Sequence, residues 1–193
     1  MADVIVFHHA LGLTPGVRGF ADRLRADGHR VTLPDLYDGE TFDTVAEGVA
    51  HAQRLTFDAI TARGVAAAAG LPERAVYVGF SLGVLPAQRL AQTRPGALAA
   101  VLLHGAVPAA AFGAGWPVGV ALRAHVNRDD GWGDVEVAGE LVTGALAAGA
   151  DAELALYPGS AHLFTDDSRG EYEPASADLV LTRVREFLSR WAD

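Results

Sequence analysis

Six short apolar runs recur along the chain: "VIVFHH" from Val4, "RVTLP" from Arg30, "AVYVGF" from Ala75, "AVLLHG" from Ala100, "ALRAHV" from Ala121 and "AELALYP" from Ala152. Each is bounded by Gly, Pro or Asp, which predicts strands. They read as continuous apolar segments more than as apolar-polar alternation, the pattern of strands buried on both faces of a parallel sheet. Between them lie helical patterns: "GFADRLRADG", an Ala-rich segment from about Thr44 to Ala69, "GVLPAQRLAQTR", roughly Val135 to Ala148, and the amphipathic "ADLVLTRVREFLSRW". Such alternation predicts an α/β fold, a mostly parallel central sheet with helices on both faces. At 193 residues, without repeats or a linker, the chain is expected to form one domain over 1–193.

In sheets of this kind ligands sit beyond the carboxyl ends of the strands. The polar residues there are His8 and His9, Asp35 and Asp38, Ser81, His104, Asp129 and Asp130, and His162. No role is read for Asp35 and Asp38 beyond capping and turn formation.

Composition narrows the chemistry. With 24 acidic and 15 basic residues the formal charge is -9, which disfavours nucleic acid and anionic membrane surfaces as partners. All the basic residues are arginine, so neither a Schiff base nor the lysine of a phosphate-binding Walker loop is available. The absence of cysteine removes disulfides, thiolate nucleophiles and cysteine-ligated zinc. The first loop, "HHALGLTPG", lacks the glycine spacing of a dinucleotide site, and no cofactor is expected. No metal is expected either. His8 and His9 are adjacent on a strand and point to opposite faces, so one should approach the pocket while the other packs. The beginning of the chain lacks the basic and long apolar segments of a secretory signal, so a cytoplasmic location is the default expectation. From Pro95 to Leu122 no residue is charged, but Pro108, Pro117 and the interspersed glycines predict a buried strand and a loop rather than a membrane span.

The most informative stretch is "YVGFSLGVLP" at 77–86. Gly-x-Ser-x-Gly between a strand and a helix is the pattern of a nucleophile elbow, in which a strained turn lifts the serine hydroxyl into solvent. The glycines, Gly79 and Gly83, would relieve crowding across that turn. The same turn would put the Leu82 N–H at a helix start, where an oxyanion is favoured. Pro86 fits only within the first helical turn. A serine at this position could also serve only as a helix cap. A serine nucleophile needs a base and an orienting acid, and the order Ser, Asp, His is met by Ser81, the pair Asp129 and Asp130 after the fifth strand, and His162 after the sixth. Spacing alone does not choose between the two aspartates.

The first loop "HHALGLTPG", together with "GFSLG", "HVNRDDGW" and "LYPGSAHLF", resembles the dienelactone hydrolase family of the α/β-hydrolase superfamily, over essentially the whole chain. The resemblance implies a minimal α/β-hydrolase fold, with Ser81 as nucleophile and His162 as base. It implies Asp130 as acid, by register with the family's His-x-Gly-x-x-Asp stretch, and the Ala10 N–H as a second oxyanion donor. The founding enzymes carry cysteine where this chain has Ser81 and glutamate where it has His9, and they hold arginines near the histidine. These departures direct the expected substrate toward a small ester or lactone rather than dienelactone itself. His9, Trp132 and Phe164 are expected to line the substrate pocket, and Trp116 is placed equally by packing or by an acyl pocket. Two alternatives stay open: a hydrolase fold that binds a small ligand without turnover, and a thioesterase or longer-chain acyl hydrolase. The oligomeric state is not legible, and a monomer is compatible with the sequence.

Overall fold

In the computed structural model, which describes residues 1–113 and 115–191, all six expected strands form. They are β1 (Asp3–Phe7), β2 (Arg30–Thr32), β3 (Ala75–Phe80), β4 (Ala99–Leu103), β5 (Ala121–Asn127) and β6 (Ala152–Tyr157). They make one sheet in the order β2-β1-β3-β4-β5-β6, and every neighbouring pair is parallel. The inner strands β3, β4 and β5 are buried along their whole length, which is why their sequences do not alternate. On one face Ile5, Phe7, Tyr77 and Leu102 pack with Ala52, Ile60, Leu90 and Leu141. On the other, Val4, Val6, Val78 and Val101 pack with Phe20, Leu24, Val180 and Val184.

The helices are α1 (Pro15–Ala26), α2 (Val45–Leu55), α3 (Phe57–Ala68), α4 (Val84–Thr93), α5 (Val135–Ala147) and α6 (Pro174–Leu188). Thus α2 to α5 cover the first face, and α1 and α6 the second. Three boundaries differ from the sequence expectation. Helix α1 begins at Pro15 because Thr14 caps it, accepting the Val17 N–H, and Pro at the first helical position is preset for the helix. The Ala-rich segment splits into α2 and α3 at Thr56, whose φ of 73° breaks the first helix while its hydroxyl caps the second. Helix α6 begins at Pro174, ahead of the predicted Ala177. The uncharged stretch after Pro95 contains β4 and then a loop. Among the described residues no helix is long and apolar enough to cross a membrane.

The strand order reverses direction between β1 and β3. In open sheets of this kind the crevice that takes ligands lies at such a point, beyond the carboxyl edge.

Candidate active site

Ser81 stands at that crevice, directly after β3, where a single 3-10 turn (Ser81–Gly83) leads into α4. Its φ of 47° lies in the left-handed region, uncommon for a residue with a side chain. Such strain persists only where the surroundings enforce it. A Cβ on Gly79 would overlap the backbone of Gly83, and one on Gly83 would overlap the Phe7 carbonyl of β1. The glycines therefore let the elbow close both on itself and against the neighbouring strand. Pro86 falls within the first turn of α4, where its missing N–H breaks no helical bond.

Ser81, His162 and Asp130 form one hydrogen-bonded line. Ser81 Oγ lies 2.7 Å from Nε2 of His162, and Nδ1 of His162 lies 2.7 Å from Oδ2 of Asp130. The carboxylate accepts, so the ring proton sits on Nδ1 and leaves the Nε2 lone pair toward the serine. Asp130 is buried and its other oxygen accepts the Trp132 N–H at 2.9 Å. Asp129, in contrast, is exposed. The backbone around His162 is fixed from several sides. Glu171 accepts the N–H groups of His162 and Leu163 at 3.2 and 3.1 Å, and Asn127 Nδ2 donates to the Ala161 carbonyl at 2.8 Å.

Three pocket expectations are corrected. His9 is fully buried: Nδ1 accepts the Leu11 N–H at 3.2 Å, and Nε2 donates to Asp166 at 2.8 Å. With both nitrogens occupied it has no lone pair to offer a substrate. His8 is buried as well, donating from Nδ1 to the His9 carbonyl and accepting the Leu36 N–H at Nε2, so both histidines pack. Phe164 is 0% exposed, with its ring against His104 and Tyr157, and belongs to the core. Trp116 is also packed, its indole N–H donating to the Val120 carbonyl at 2.7 Å. Trp132 alone of the expected lining residues is at the mouth, 59% exposed and 6.3 Å from the His162 ring. Ala10 and Leu82 are buried, three residues past β1 and two past β3.

Sequence reasoning missed Asp166. Burial alone would push its carboxyl up, but hydrogen bonds from His9, Ser168 and Thr14 outweigh that and hold it below the usual carboxylate range. Burial holds His9 neutral against the pull of Asp166. Burial, and then the proximity of His162, keep His104 well below the ordinary imidazole range. Among the described residues no three His, Asp or Glu side chains gather as a metal site needs. A cleft of about 210 Å³ is lined by Leu11, Asp43, Thr44, Leu163, Arg169 and Glu171; it meets the site through Glu171, which accepts the His162 N–H, and the triad side chains do not line it.

The model of the dienelactone hydrolase family matches residues 1–192. No curated protein matches the chain. Among solved structures, similarity extends to a dienelactone hydrolase-like promiscuous phosphotriesterase from metagenomic libraries, at 21% identity and a TM-score of 0.80, covering 98% of this chain and 86% of that one. A putative dienelactone hydrolase from Klebsiella pneumoniae aligns at 21% identity with a TM-score of 0.76, over 100% and 87% of the two chains. Esterase 2 of Thermogutta terrifontis, phosphonylated by cyclosarin, aligns at 18% identity with a TM-score of 0.71, over 98% and 82%. These likenesses establish a shared α/β-hydrolase fold.

Proposed function

The chain belongs to the dienelactone hydrolase family, and from that premise we propose that it hydrolyses small carboxylic esters or lactones through Ser81, His162 and Asp130 and an acyl-enzyme intermediate. The observation that carries this reading is the 2.7 Å approach of Ser81 Oγ to His162 Nε2, at a serine held in a left-handed turn.

In this mechanism Ser81 Oγ attacks the carbonyl carbon while its proton passes to Nε2 of His162. Asp130 keeps the ring in the productive tautomer and stabilises the imidazolium. Negative charge develops on the carbonyl oxygen, toward which the N–H groups of Ala10 and Leu82 donate. The intermediate then collapses. The alkoxide leaves with the proton from His162, and Ser81 is left acylated. A water next gives its proton to His162 as its oxygen attacks the acyl carbon, and Ser81 recovers the proton when the carboxylic acid departs.

The reading as a whole is tested by covalent capture. The phosphonylated state of the Thermogutta terrifontis esterase makes an organophosphonate the natural reagent. One label per chain on Ser81, absent in Ser81→Ala, is expected; no label on the wild-type protein would leave a binding protein on a hydrolase fold.

A further inference from the structure

Two buried histidines that this mechanism does not use grip the segment that follows His162. His9, two residues past β1, donates from Nε2 to Asp166 at 2.8 Å. His104, directly after β4, shares a 2.8 Å hydrogen bond between its Nε2 and the Thr165 hydroxyl. Thr165 and Asp166 are consecutive and come three and four residues after His162. The turn between them is closed by the Asp166 N–H, which donates to the Leu163 carbonyl at 3.0 Å. In the sheet, β1 and β4 flank β3, the strand that ends in Ser81. The strands on either side of the serine thus each hold one residue of the turn that carries its hydrogen-bond partner.

Both grips are built at a cost that simple core filling does not require. His104 is buried with a φ of 71°, and its Nδ1 has no hydrogen-bond partner among the described residues. Leucine would fill that volume without leaving a buried polar atom unsatisfied. Asp166 is a buried carboxylate. It accepts from His9, from the Thr14 hydroxyl at 2.6 Å, and from the N–H and hydroxyl of Ser168. Gly16 has no Cβ, which would otherwise overlap Asp166 Oδ1. Thr14 also caps α1, so the first loop, α1 and the His162 turn converge on one carboxylate. His9 precedes Ala10, and its Nδ1 fixes the Leu11 N–H, so the same imidazole orients the backbone on both sides of Ala10.

We propose that His9 and His104 are positioning residues. Through Asp166 and Thr165 they hold the Leu163–Asp166 turn so that His162 Nε2 stays in bonding reach of Ser81, and His9 keeps the Ala10 segment in the same frame. The inference rests on the serine-hydrolase reading. Misplacing a reacting group by about 1 Å costs roughly 10² in rate, so two hydrogen bonds remote from the chemistry suffice to matter.

The deciding variants are Thr165→Val, which removes the hydroxyl at nearly constant shape, and Thr165→Ser, which keeps it. His9→Leu and His9→Gln form the matching pair, the glutamine retaining a donor toward Asp166. Each is assayed on a short-chain nitrophenyl ester, with kcat normalised to the serines titrated by a fluorophosphonate, so that a loss of folded protein does not register. Thr165→Val is expected to lower kcat per titrated serine about tenfold or more with KM within about twofold, and Thr165→Ser to recover to within about threefold. The downfield proton resonance of the Asp130–His162 hydrogen bond should broaden or shift in the valine variant and return in the serine variant. Because His9→Leu leaves the Asp166 charge without its donor and could fail to fold, the Thr165 pair decides. An unchanged kcat per titrated serine in Thr165→Val, or equal losses in Thr165→Val and Thr165→Ser, would overturn the proposal. Wild-type protein that takes no phosphonate would instead sink the serine-hydrolase reading beneath it.

Discussion

Asp130 presents Oδ2 to Nδ1 of His162 at 2.7 Å, whereas its neighbour Asp129 is exposed. An amide at 130 would preserve the shape but favour the wrong ring tautomer, an exchange that lowers kcat about 10⁴ in a serine protease. We therefore expect Asp130→Asn to lose at least about 10² in kcat and Asp129→Asn less than about tenfold. Steady-state kinetics on one ester settles it, and a larger loss at 129 would reassign the acid.

Ser81→Ala should abolish hydrolysis and leave the circular dichroism spectrum unchanged, since it removes one oxygen from a surface turn. Equal rates in mutant and wild type would contradict the proposed role.

The glycines of the elbow make a stability prediction. A methyl on Gly83 meets the Phe7 carbonyl, which β1 holds in the sheet, so Gly83→Ala should destabilise by about 1–3 kcal/mol or more. Gly19 in α1 has nothing near its missing Cβ, and Gly19→Ala should instead stabilise by about 0.5–1 kcal/mol. Urea unfolding of the two variants distinguishes a packing role from a shared glycine effect.

Burial lowers the pKa of His8 from 6.5 to about 4 and that of His125 to about 3. The unfolded chain takes up these protons near pH 6.5, while the folded protein does so only well below. The unfolded state therefore binds more protons in that window, and stability is lost as pH falls from about 6.5 toward 4. His9 and His104, also lowered by burial, act in the same sense. The unfolding midpoint should thus be nearly flat just above pH 7 and decline below 6.5; an unchanged midpoint between about pH 7 and 5 would contradict it.

The strands and the local motifs were legible because each is written in contiguous residues. Continuous apolar runs mark β3, β4 and β5, and Gly79 to Gly83 announce their own turn. Helix boundaries were less legible: the Thr14 cap and the break at Thr56 each depend on a single residue in a helix-compatible stretch. The network behind the site was not legible at all. His9 and Asp166 are 157 positions apart, His104 and Thr165 are 61 apart, and neither pair has a local pattern to betray it. His9 and Phe164 were placed near the pocket because both follow strand ends; Asp166 and the Leu11 N–H hold the first inside, and the rings of His104 and Tyr157 the second.

The indole of Trp132 lies tilted by 39° over the His162 ring and open to solvent. A protonated imidazole quenches indole emission more strongly than a neutral one, so this contact is an optical gauge built into the protein. Trp116, bonded to a carbonyl, and Trp191, packed edge-on against Phe187, contribute the remaining indole emission away from His162. The charge on the candidate base thereby becomes readable by fluorescence in the resting molecule, before any substrate is known.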